Sequence, residues 1–232
     1  MLAPTELLDE DAKLRRAGVA LATVGVPWQD GLDVLAVLAE LKPLAILMRR
    51  GADVAALAAR HGLKTAMLAS WGPAGELPPW YAASRARWRA RQSMLHVARE
   101  PETLARAATL AARGWAAPAE EAALLGYPLC CVEAQQRRSL ALEALVADMV
   151  ERSAEDDPAR RTRIVEAGAV PLPLTDEEYA CFARVAAVTP SAVTSVNLCD
   201  RCAADAASPA RRLEAQYQAL AARAQYRRPS DA

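Results

Sequence analysis

Four of the five cysteines in this 232-residue chain stand in two short motifs, Gly126-Tyr127-Pro128-Leu129-Cys130-Cys131 and Cys199-Asp200-Arg201-Cys202. A chain using cysteine only as a small buried apolar residue scatters it singly, as with Cys181 here. Paired thiols on either side of a long helical stretch are what a soft metal centre requires, because thiolates select zinc, Cu(I) or iron–sulfur clusters. Any fold of this chain has therefore to bring two distant segments to one point.

The local chemistry of both motifs favours ligation. Gly126 can end one helix in the left-handed region, and Pro128 suits the first turn of the next. Cys130 and Cys131 then lie at a helix N-terminus, where free N–H groups and the helix dipole stabilise thiolates. Cys199 and Cys202 have the two-residue spacing that lets two thiolates converge on one centre, just before another helical run. Arg201 beside them offsets thiolate charge. Adjacent cysteines are expected to crowd a single small ion and to flank a larger cluster more easily. The leading expectation is an iron–sulfur cluster, [4Fe-4S] in type, held by Cys130, Cys131, Cys199 and Cys202. Such a cluster would serve redox or Lewis-acid chemistry on a small molecule. A zinc site, a redox CxxC pair and a metal-free reduced thiol cluster are the alternatives; a redox pair usually follows a strand, and here a polar connector precedes Cys199.

Apolar runs at residues 18–26, 44–48, 64–70 and 94–98 read as strands, alternating with helical patterns at 32–41, 53–61, 80–91 and 101–113. Asp30 is a candidate N-cap of the first of these helices. This alternation predicts an α/β unit over residues 15–115 with a small parallel sheet and right-handed crossovers. From Pro118 the strand signal fades. Helices are expected at 119–125, from near Pro128 through Val150, at 176–188, and from Cys202 or Pro209 to about Tyr226. Residues 116–232 thus form a mostly helical, cysteine-bearing unit.

Acidic and basic residues balance at 28 each, so there is no global steering toward nucleic acid or anionic membrane. No run approaches the roughly 20 apolar residues that span a bilayer. Asp9, Glu10 and Asp11 interrupt the start, where a secretory signal would be apolar. A cytoplasmic protein is expected, in a compartment where clustered cysteines more often mean metal or redox chemistry than disulfides.

The segment carrying Gly126, Tyr127, Pro128, Cys130 and Cys131 resembles the signature of an uncharacterised prokaryotic family, a domain of unknown function with a Gly-Tyr-Pro-x-Cys-Cys motif. The resemblance covers only the second half of the chain. Members carry a later Pro-Cys-x-x-x-Cys-like element, whereas here Asn197 and Leu198 precede Cys199 and the spacing is CxxC. It implies a shared cysteine site and no particular reaction.

Other residues add secondary readings. His61 suits a helix end, and His96 in a β-like run reads as packing, with a ligand or acid–base role as the alternative. Neither supports a Ser-His-Asp triad. Glycine-rich nucleotide-binding fingerprints are absent. Arg85, Arg87, Arg89 and Arg91, interleaved with Trp88, form the densest basic run. They read as a solvated face, or as a grip on RNA or a protein partner in a zinc-stapled binding module. Trp71, Trp80, Tyr81 and Trp88 seal a core or line a pocket beside the Gly/Pro-rich loop at 71–79.

Overall fold

The computed structural model describes residues 4–47, 52–69, 79–91, 93–167, 176–191 and 193–228. In chain order the elements are α1 (Pro4–Thr23), α2 (Trp28–Leu38), β1 (Leu44–Leu47), α3 (Ala52–Arg60), β2 (Lys64–Ala69), α4 (Pro79–Arg91), β3 (Ser93–Ala98), α5 (Pro101–Ala112) and α6 (Pro118–Leu125). They continue with α7 (Leu129–Asp156), α8 (Pro158–Ala167), α9 (Asp176–Ala186), β4 (Thr189–Pro190), β5 (Asn197–Leu198), α10 (Asp200–Ala204) and α11 (Pro209–Ala224). The described residues are mostly helical, and none of their helices is long and apolar enough to cross a membrane.

The expected parallel sheet is not formed. The three main strands lie in the order β1-β3-β2, and β3 is antiparallel to both neighbours. β1 and β2 run in the same direction, as a β-α-β unit should, but β3 occupies the place between them. Ala69 at the end of β2 pairs with Ser93 at the start of β3, so the chain leaves and re-enters the sheet at one end. Alternating strands and helices carry no record of that return, so the pattern alone predicts the wrong direction for β3.

The expected strand at residues 18–26 is also absent, because residues 18–23 continue α1. Leu14, Ala17 and Leu21 are buried at spacings of three and four while Val19 is 66% exposed, the signature of one helical face. A short apolar run cannot by itself separate strand from helix. Asp30 falls inside the first turn of α2 and is buried; Pro27 holds the N-cap position.

Period-two alternation splits the sheet's side chains between two cores. Ala45, Leu47, Leu95 and Val97 face a layer of α1, α2, α3 and α11, whose buried residues include Leu35, Leu57 and Leu220. Leu44, Ile46 and Ala98 face α5 and α6 through Leu110, Trp115 and Leu124. The central position of β3 explains its run of four buried residues. His96 on this strand is fully buried, bonded through Nδ1 to the Met94 carbonyl and stacked on Trp115 at 5.8 Å. α11, from the end of the sequence, packs on α1 and α2 and so completes the first layer.

Gly126 caps α6 with φ +67°, as the sequence predicts, and it also lies against Lys42. A Cβ there would come within 2.9 Å of Lys42 Cβ, whereas one at Gly25, with the same φ, meets nothing within 4 Å. Gly25→Ala should therefore lose only the left-handed penalty of about 1 kcal/mol, and Gly126→Ala about 3 kcal/mol. Paired urea denaturation curves measure the difference; equal losses would mean that the Lys42 contact yields freely.

Candidate metal centre

The two cysteine motifs meet. The Sγ atoms of Cys130, Cys131, Cys199 and Cys202 all lie within 4.8 Å of one another. Cys130 Sγ is 3.5 Å from Cys202 Sγ, and Cys131 Sγ is 3.7 Å from Cys199 Sγ. Four thiol sulfurs gathered in this way are compatible with metal binding. Cys181 stands apart on α9, outside the group.

The first pair is placed by the break between α6 and α7. The left-handed Gly126 turns the chain, Pro128 offers its carbonyl to the N–H groups of Cys131 and Val132, and α7 begins at Leu129. Cys130 and Cys131 thus sit in the first helical turn, about 100° apart around the axis. Their side chains straddle the sulfur cluster from two sides, so adjacent cysteines do reach one point.

The second pair is placed by a short hairpin and by α10. β4 and β5 pair antiparallel, which delivers Cys199 immediately after Leu198, and Cys199 then caps α10. The Ala203 N–H bonds the Cys199 carbonyl at 2.8 Å, and Ser208 Oγ bonds the Cys202 carbonyl at 3.1 Å. Val196, Leu198 and Ala210 close an apolar wall around Cys131, Cys199 and Cys202. On the other side, Gln135 Oε1 of α7 accepts from Asn197 Nδ2 at 3.2 Å and ties β5 to α7.

Electrostatics differentiates the thiols. Burial pushes Cys130 and Cys131 above the ordinary thiol range, and the neighbouring thiols add to it. At Cys199 burial acts in the same direction but is outweighed by the Cys202 N–H and by three adjacent thiols. Its pKa is lowered. Cys199 thus gives up its proton more readily than Cys130 or Cys131, and the charge of a bound cation would favour loss of the remaining protons.

A polar network centred on a buried carboxylate connects the two cysteine motifs, and sequence reading missed it. Asp33 on α2 is 1% exposed and accepts from Lys42 Nζ at 2.9 Å, Tyr217 OH of α11 at 2.9 Å and Ser195 Oγ at 2.6 Å. Lys42 Nζ also donates to Tyr127 OH at 3.0 Å, and Tyr127 bonds Ser195 in turn. Tyr127 belongs to the first cysteine motif, and Ser195 lies four residues before Cys199. The only sequence signal was a lone aspartate inside the apolar run from Leu32 to Leu38.

The remaining expectations divide. Arg201 is exposed and lines the same cleft as Cys130 and Cys199. His96 is held in the core by its bonding and stacking, and it is not among the grouped ligands. On α4, Arg87 is exposed and Tyr81 fully buried; the side chains of Arg85, Arg89, Arg91 and Trp88 lie outside the described residues, as does Trp71.

The network generates a pH prediction. Burial opposes the charge on Lys42, but Asp33 and Tyr127 outweigh it and raise its pKa above 10.5. Burial likewise raises the phenols of Tyr127 and Tyr217 above 10.0. All three groups stabilise the fold while protonated, so their contribution is intact below about pH 10 and is lost as pH rises through the folded-state values. Lys42→Met should cost about 3–5 kcal/mol near neutral pH, because it strands a buried carboxylate. It should also flatten the alkaline limb of the stability–pH curve. Urea titrations across pH 7–11 check both effects.

Comparison of the chain with protein-family models, with curated proteins and with solved structures finds no match in any of the three.

Proposed function

We propose that this is a metal-binding protein in which Cys130, Cys131, Cys199 and Cys202 hold one tetrahedrally coordinated ion, with zinc the best fit. The observation that carries this reading is the 4.8 Å limit on every sulfur–sulfur separation. Zinc–thiolate bonds of about 2.3 Å in a tetrahedron place the sulfurs about 3.8 Å apart. The pairs at 3.5 and 3.7 Å match that edge. In a four-iron cluster the same bonds point outward from the corners of a cube, and its thiolates stand on the order of 6 Å apart. The sulfur separations thus lie nearer the single-ion value than the cluster value, which supports the zinc alternative over the leading expectation.

Four thiolates leave no open position on such an ion, which is the pattern of a structural zinc site. Its effect would be to fasten α7 to β5 and α10. Reducing conditions, as in a cytoplasm, are what a free-thiol ligand set calls for. Kinship with the Gly-Tyr-Pro-x-Cys-Cys family remains part of this proposal. It is supported by the distinct tasks of Gly126, Tyr127, Pro128, Cys130 and Cys131 at the site. An RNA or protein partner on α4 would rest on Arg87 alone among the described side chains, so that reading is not advanced.

Anaerobic purification with metal and sulfide analysis tests the proposal. A colourless protein with about one zinc per chain is expected. Iron with matching inorganic sulfide and a brown colour would restore the cluster and overturn the single-ion reading. Cys202→Ser should lower zinc affinity by more than about a hundredfold, since even outer-shell changes cost 10–100-fold. Competition with a chromogenic chelator measures the loss.

A further inference from the structure

The four sulfurs are unequal in access. Cys131 and Cys202 are 0% exposed and Cys199 9%, while Cys130 is only half-buried. Cys130 opens onto a cleft of about 440 Å³ between α7 and α10. Arg137 and Arg138 follow Cys130 on α7 by seven and eight positions, which places them two turns along the same face. Arg201 enters from α10 on the opposite side. The lining carries these three guanidinium groups against two carboxylates, Glu133 and Asp200. Gln135 Oε1 accepts from Arg138 Nη1 at 2.8 Å while holding Asn197, so Arg138 is fixed relative to the second cysteine motif.

We infer that Cys130 is a metal-activated nucleophile facing an anion-binding cleft, and that its partner is a small electrophile bearing a carboxylate or phosphate group. This rests on the single-ion reading above. A coordinated cysteine is a thiolate at neutral pH, and metal coordination is one of the recognised ways of activating a nucleophile. Three of the thiolates are shielded by protein, so reaction is confined to the fourth. Four thiolates around a divalent ion leave two net negative charges, which would repel an anionic reagent. Arg137, Arg138 and Arg201 set three positive charges against these two and the two of Glu133 and Asp200, and they offer paired N–H donors to an oxyanion. In the step itself, Cys130 Sγ forms a bond to the electrophilic carbon as the carbon–leaving-group bond breaks. The bonding pair departs with the leaving group. No oxidant and no proton transfer are required, and the product is a thioether on Cys130.

The test uses the full zinc-loaded chain, with iodoacetate as the anionic electrophile and iodoacetamide as its neutral counterpart. Peptide mass spectrometry reads each cysteine over time, and native mass spectrometry reads bound zinc. Cys130 should be labelled at least tenfold faster than Cys131, Cys199 or Cys202. The iodoacetate-to-iodoacetamide rate ratio at Cys130 should exceed that of glutathione several-fold. In an Arg137→Gln, Arg201→Gln variant that still holds zinc, the ratio should fall to the glutathione value. Equal labelling of the four cysteines, or a ratio indifferent to the arginine changes, would overturn the inference while leaving the zinc reading intact. A chain that binds no zinc removes both, and the zinc readout tells these failures apart.

Discussion

The structure depends on a carboxylate placed where charge is expensive. Asp33 lies in the buried face of α2, and taking two ions out of water costs several kcal/mol each before any partner repays it. Repayment comes from three other parts of the sequence: Lys42 ahead of β1, Tyr217 on α11 and Ser195 ahead of β5. None of these partners can be removed cheaply, because each would leave a buried polar group unsatisfied. The arrangement therefore fixes relative positions in a way that an apolar contact does not.

Both halves of the cysteine site take their register from this one ion pair. On the first side, Gly126 packs directly against Lys42, and Tyr127 shares the Lys42 ammonium. On the second side, Ser195 bonds Asp33 just ahead of the strand that ends at Cys199. Gln29 extends the grip by donating to the carbonyls of Ser191 and Thr194, and Glu214 accepts from Ser191 Oγ. The thiols are thus brought together by oxygen and nitrogen chemistry. This gives the glycine and tyrosine of the first motif a physical task that does not involve metal contact.

How far the sequence foretold this depends on the range over which each signal acts. Cys130, Cys131, Cys199 and Cys202 were legible as a group because ligand chemistry is written into residue type and spacing, and the grouping needed no knowledge of topology. The Gly126 turn was legible because left-handed backbone is a local demand. The direction of β3 was not, since it depends on where the chain returns after α4. The helical state of residues 18–23 was hidden by an apolar run, although Leu14, Ala17 and Leu21 already carried the spacing. Asp33, Lys42, Ser195 and Tyr217 were least visible. Each is an ordinary residue alone, and only tertiary structure makes them one site. The separations between the four sulfurs were likewise invisible, because motif spacing does not resolve ångströms.

The position of α11 has a consequence for biogenesis. It closes the layer over α1 and α2 and supplies Tyr217 to Asp33, 184 residues earlier in the chain. Until residues 209–224 have been made, the earliest helices lack part of their cover and the Asp33 carboxylate lacks a donor. Cys130 and Cys131 emerge well before Cys199 and Cys202, so a nascent chain carries half a ligand set on an unfinished core. Closure of this layer and completion of the thiol cluster thus both wait on segments made long after the ones they complete.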